Sequence, residues 1–142
     1  MKIVTCFLDT TAWVALMNKK DPHHLRASAY FRELLDMKSR LVTNNVELDH
    51  AISYIKEQLD EDAAYNFYKV IDESILTLNL RMDWISRRLR RDALSLFLKN
   101  RNKELNLKHF YILETVNKKK VDILFSFDTR LNFLGLPVMP RE

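Results

Sequence analysis

Two periodicities organise this chain. Short runs rich in β-branched and aromatic residues predict strands: Ile3-Val4-Thr5-Cys6-Phe7-Leu8, Arg40 to Asn44, Ile75 to Leu80, and Ile123-Leu124-Phe125-Ser126-Phe127. Between them apolar residues recur at helical spacing. The stripes are Leu25, Ser28, Phe31 and Leu35; Leu48, Ile52, Ile55 and Leu59; Ala64, Phe67, Tyr68 and Ile71; Ile85, Leu89, Ala93 and Leu96; and His109, Ile112, Leu113 and Val116. Thr10 to Met17 adds a short helix, and about Asp83 to Lys99 a long one. Start signals agree with the stripes. Asp21-Pro22 supplies an N-cap and a first-turn proline, Asn44 or Asn45 and Asn106 cap later helices, and Asp60-Glu61-Asp62 puts acid where the helix dipole favours it. Gly135 closes a short helix, and Leu136 to Met139 predicts an edge strand.

Strands alternating with helices over short connections predict an α/β fold: a central, mostly parallel sheet of four to five strands with about seven helices on its two faces. No linker, repeat or low-complexity segment interrupts residues 1–142, so one domain is expected. With 47% apolar residues, the 142-residue chain can bury an ordinary core. A single glycine leaves no glycine-rich phosphate loop, which excludes P-loop and Rossmann nucleotide chemistry. The lone Cys6 lies inside the first strand, reads as core, and fits a reducing, cytoplasmic setting. The start of the chain predicts no signal peptide, and no run is long enough to span a membrane. A net charge of +4 favours a polyanionic partner.

The candidate chemistry lies at two strand ends. Asp9 follows the first strand and Asp128 the last, each just before a helical pattern. In a parallel sheet such positions converge on the crevice where ligands bind. Two acids brought there from opposite ends of the chain suggest a metal or acid–base site.

The motifs around these acids are Phe7-Leu8-Asp9-Thr10-Thr11-Ala12-Trp13-Val14-Ala15-Leu16, Asp21-Pro22-His23-His24, Leu41-Val42-Thr43-Asn44, Ala93-Leu94-Ser95-Leu96-Phe97, Leu105-Asn106-Leu107-Lys108-His109 and Phe125-Ser126-Phe127-Asp128. In order and spacing, over nearly the whole chain, they resemble the PIN-domain nucleases, and within them the VapC-type toxins. The resemblance implies a metal-dependent endoribonuclease that hydrolyses RNA phosphodiesters, an antitoxin protein as partner, and a homodimer. Asp9 and Asp128 match the first and last of four family acids that gather a divalent cation, and Thr11 and Ser126 match hydroxyl residues that support them.

The middle two acids depart from the family. Counted from Asp128 the third falls on His109, and counted from Thr43 the second falls on His50, with Asp49 one residue away and Glu47 one turn earlier. The expected catalytic and metal set is therefore Asp9, His50, His109 and Asp128. Replacing two acids by neutral histidines takes the formal charge from about −4 to about −2. Imidazole favours Mn or Zn over Mg. The alternative is a degenerate, catalytically silent domain that holds no metal and serves as an RNA- or protein-binding module. His23 and His24 read as surface residues. Arg87, Arg88, Arg90 and Arg91 lie on one helix and are candidates for nucleic-acid binding; their other reading is a solvated face. Trp13, Tyr30 and Phe31 read as core, base-stacking or partner-groove residues.

Overall fold

In the computed structural model, residues 2–77 and 79–141 are described; Met1, Leu78 and Glu142 lie outside that set. The elements are β1 (Thr5–Leu8), α1 (Thr10–Met17), α2 (His24–Asp36), β2 (Arg40–Asn44), α3 (Asn45–Gln58), α4 (Glu61–Leu76), β3 (Leu80–Asp83), α5 (Arg87–Lys99), α6 (Leu107–Lys119), β4 (Ile123–Phe125), a 3-10 helix (Thr129–Leu134) and β5 (Val138–Met139). The sheet order is β3-β2-β1-β4-β5, and every neighbouring pair is parallel. This is the PIN-like three-layer α/β fold expected above.

Strand alternation divides the core. Cys6, Leu8, Leu41, Leu80 and Phe125 point to the layer of α1 to α4. Phe7, Val42 and Leu124 point to the opposite layer, where Ile112 and Val116 of α6 meet them. Helix α5 stands outside α6 and packs through Ala93 and Phe97 against Leu105 and Phe110. Cys6 is buried, and burial pushes its thiol up to about 12, so it is core and not a reactive thiol.

Several boundaries and faces differ from the sequence expectation. The strand expected over Ile75 to Leu80 is the end of α4 followed by β3, because Phe67, Ile71 and Ile75 continue one helical stripe into the core. Part of that expected strand, Leu78, lies outside the described residues. Asp83 ends β3, so the long helix begins at Arg87 under the side-chain cap of Ser86. Asp21 caps a turn at His23, and α2 starts one residue later. The core face of α2 is Ala27, Tyr30 and Leu34; Leu25 is 83% exposed and Leu35 is also exposed. Tyr68, Leu59 and Leu96 are likewise exposed. Trp13 is core: it is buried, stands edge-on to Phe67, and donates from Nε1 to Thr43 Oγ1 at 3.3 Å.

The reassigned face of α2 makes a prediction. Leu34→Ala should cost about 2–5 kcal/mol in urea unfolding, as for a large-to-small change in a closed core. Leu25→Ala should stay within about 0.5 kcal/mol.

Candidate functional site

The carboxyl rim of the sheet carries a line of polar residues. Extending the β1–β2 register by two residues sets Asp9 level with Asn44, and Asn44 pairs with Asp83. On the other side of β1, β4 ends at Phe125, so Ser126 and Asp128 follow beside Asp9.

Asp9 is the N-cap of α1. Its Oδ1 accepts from Ala12 N at 3.0 Å and Thr11 Oγ1 at 2.7 Å, and its Oδ2 accepts from Ser126 Oγ at 2.5 Å. Ser126 Oγ in turn accepts from the backbone N of Asp128 at 2.9 Å, and Thr11 Oγ1 accepts from Phe127 N at 2.8 Å. Thr11 and Ser126 thus join the two distant aspartates.

Facing Asp9 is Glu47, also buried. Asn44 caps α3 by accepting from Glu47 N at 2.9 Å. That cap places Glu47 at the third helical position, where a side chain turns back over the helix start. Here it reaches across to α1: Glu47 Oε1 accepts from Thr10 N and Thr10 Oγ1, both at 3.0 Å. Its other oxygen, Oε2, is buried and has no hydrogen-bond partner. Burial first, and the Glu47 charge second, raise the Asp9 carboxyl to about 7 against three opposing hydrogen bonds.

The structure does not bring His50 to Asp9. Both His50 and Asp49 are exposed, while Leu48, Ala51 and Ile55 take the buried face of α3. His50 also stands about 4.5 Å further along the helix axis from the rim than Glu47. The acid facing Asp9 is Glu47, which the sequence reading noted and did not choose. The spacing Asn44-x-x-Glu47 sets Glu47 in the first turn of α3 at the rim, but it predicts a bond back to the Asn44 N–H and not the reach to Thr10 seen here.

His109 is buried at the rim, beside Asp128 and not as a free donor. Its Nδ1 accepts from Asn106 N at 2.9 Å, which fixes the proton on Nε2, and Nε2 donates to Asp128 Oδ2 at 2.9 Å. Both ring nitrogens are engaged, so His109 orients a carboxylate. Arg130 does the same from the other side: its Nε and backbone N donate to Asp128 Oδ1 at 2.8 and 3.0 Å, and its Nη2 donates to Oδ2 at 3.0 Å. Burial pushes Asp128 up, but the His109 and Arg130 hydrogen bonds prevail and hold it well below the usual carboxylate range. Arg130 was not anticipated from the sequence, and only its position two residues after Asp128 hints at the fork. Among the described residues no three His, Cys, Asp or Glu side chains converge as a preformed cation cage. Arg87, Arg88, Arg90 and Arg91 are all exposed on α5.

Comparison with known proteins places this fold. No protein-family model matches the chain, and no curated protein matches it. A solved structure that it resembles is that of Mycobacterium tuberculosis VapC20, a sarcin–ricin loop cleaving toxin, with a TM-score of 0.82 and 18% identity. The match covers 94% of this chain and 98% of that one. At this identity the likeness establishes the shared fold.

The raised Asp9 carboxyl gives a prediction with a definite sign. A carboxyl whose folded value lies above its unfolded value of 3.8 stabilises the fold below pH 3.8, and that contribution is lost as pH rises through about 7. In EDTA, the melting temperature of the wild type should therefore fall between pH 5 and pH 8. Asp9→Asn should flatten that fall.

Proposed function

We propose that the chain is a divalent-metal-dependent endoribonuclease of the VapC type, with its metal site on Asp9 and Glu47. The observation that carries this reading is the pair of buried, facing carboxylates with Glu47 Oε2 left unpartnered. An uncompensated buried acid pair is unfavourable by itself, and a cation between the two would satisfy it. The donor set fits such an ion. The available atoms are carboxylate oxygens, because His109 has no free nitrogen and His50 is exposed. Oxygen donors favour Mg²⁺ or Mn²⁺, not the Mn or Zn preference that histidine ligands would give. A bound divalent ion supplies Lewis-acid stabilisation of a phosphate and lowers the pKa of water.

The chain's own residues do the positioning. Thr11, Ser126 and the Ala12 N–H hold both oxygens of Asp9, and Thr10 holds one oxygen of Glu47. Asp128 sets Ser126 through its backbone N–H, and His109 and Arg130 fix Asp128. His109 is thus a positioning residue. VapC20 cleaves the sarcin–ricin loop; for this chain the substrate class is RNA, attacked at a backbone phosphodiester. The groove between α2 and α4, lined by Trp13, Phe31, Leu35, Val70 and Ile71 and rimmed by Lys38, Arg40 and Arg81, is the proposed seat of an antitoxin segment. A homodimer and a cytoplasmic location complete the proposal. Among the described residues no helix is long and apolar enough to cross a membrane.

One observation favours a second reading. Arg130 already neutralises Asp128 from within the chain, which leaves two of the family's four acids free to take a cation. In that reading the domain binds RNA or protein without cutting.

Cleavage of a single-stranded RNA by purified protein, with EDTA, Mg²⁺ or Mn²⁺, decides between the two. The enzyme reading requires metal-dependent cutting that Asp9→Asn and Glu47→Gln each abolish and His50→Ala leaves unchanged. His109→Ala should lower the rate about 10–100-fold, as for residues that orient a ligand from behind. Absence of cutting by the wild type, with cutting gained in the His109→Asp, Arg130→Ala double variant, establishes the silent reading. Activity that persists in Asp9→Asn would contradict both.

A further inference from the structure

We propose that Trp84 and the outward arginines of α5 form a track for single-stranded RNA that leads to the Asp9–Glu47 crevice. The choice of RNA rests on the function proposed above; the track itself rests on separate observations. Trp84 is 66% exposed, immediately after β3, on the same rim of the sheet as Asp9. By the strand register Asp83, Asn44 and Asp9 lie side by side, and β3 stands two strand spacings, about 10 Å, from β1. A base held on Trp84 would therefore lie within a short stretch of backbone of the paired carboxylates.

The backbone that presents the indole is anchored on both sides. Asp83 is buried and pairs with Lys118 Nζ at 2.9 Å, and Ile85 N donates to Asn45 Oδ1 at 2.6 Å. Asn45 is the first residue of α3, the helix that carries Glu47. The same short segment thus bears the exposed indole and braces the start of the helix that forms the site. An aromatic ring fixed in this way can stack a base at small entropic cost.

Helix α5 starts three residues later. Ala93 and Phe97 face inward to α6, which turns Arg87, Arg88 and Arg91 outward together with Ser95. Among the described residues Arg87, Arg88 and Arg90 make no ion pair, and Arg91 reaches only its neighbour Asp92, at 3.9 Å. These cations are left for an external anion. Guanidinium groups in series suit successive phosphates, and an exposed indole beside them suits an unstacked base. A duplex hides its base faces, so this combination selects single strands.

Tryptophan fluorescence tests the track directly, because Trp13, the other tryptophan, is only 5% exposed. Asp9→Asn protein in EDTA is titrated with a uridine-rich single-stranded oligoribonucleotide, a matched RNA duplex, and poly-glutamate. The track predicts quenching by the single strand alone. Trp84→Ala, followed by fluorescence anisotropy of labelled RNA, should weaken binding about 10-fold, and Trp84→Phe should keep most of it. Replacing Arg88 and Arg91 by Gln should reduce the slope of log Kd against log salt by about 1.4. Equal binding of duplex, equal binding of poly-glutamate, or affinity unchanged in Trp84→Ala would overturn the proposal. RNA cleavage by the wild type without quenching of Trp84 would overturn the track and leave the Asp9–Glu47 reading standing; quenching without cleavage would do the reverse.

Discussion

Two carboxylates share one water-excluded place at the rim of the sheet, and the surrounding polar structure is organised around them. Asp9 is 2% exposed and Glu47 is 1% exposed. An ionised carboxylate withdrawn from water needs donors or a cation. Asp9 has three donors, from Ser126, Thr11 and the first turn of α1. Glu47 has the donors of Thr10 on one oxygen and none on the other. The arrangement is polar enough to hold the two side chains still and one partner short of satisfying them. A parallel sheet delivers this geometry readily, because β1 and β2 end level and feed α1 and α3 side by side.

Asp128 is treated differently. Its two oxygens accept from His109, from the Arg130 side chain and from the Arg130 backbone, so its charge is balanced inside the protein. Its influence on the crevice passes through its backbone N–H to Ser126 and so to Asp9. His109 is a donor toward Asp128: its Nδ1 accepts from Asn106 N, and its Nε2 donates to the carboxylate. The rim therefore holds a neutralised half, on β4 and α6, and an unneutralised half, on β1 and α3.

The sheet and its neighbours were legible in the chain because strand runs, caps and helical stripes agreed with one another. Asn44, Asn106 and Gly135 each stand where a cap was expected. The errors on the helix faces share a cause: a stripe of apolar residues does not say which of two adjacent faces is buried. On α2, Leu25 and Leu35 face out, and Ala27, Tyr30 and Leu34 face in. At Ile75 a helical stripe continued into residues of good strand propensity, and packing against the core decided for helix. The candidate site was legible in part. Asp9 and Asp128 were expected from their places at strand ends and Thr11 and Ser126 from the family resemblance, and the structure brings these four residues together. Counting by spacing led to His50, which is exposed; the Asn44 cap sets Glu47 in the first turn of α3, and its reach to Thr10 depends on the packing of α1 against α3. Arg130 acts through a local fork that no longer-range pattern in the chain announces.

The function proposed above requires that Asp9 and Glu47 together hold a divalent cation. Calorimetric titration of Mn²⁺ into the metal-free protein at pH 8 tests it most directly, with Asp9→Asn and Glu47→Gln measured alongside. Saturable binding to the wild type is expected, lost in either variant and retained in His50→Ala. Failure of the wild type to bind, or binding that survives in Asp9→Asn or Glu47→Gln, would rule out a site shared by the two acids.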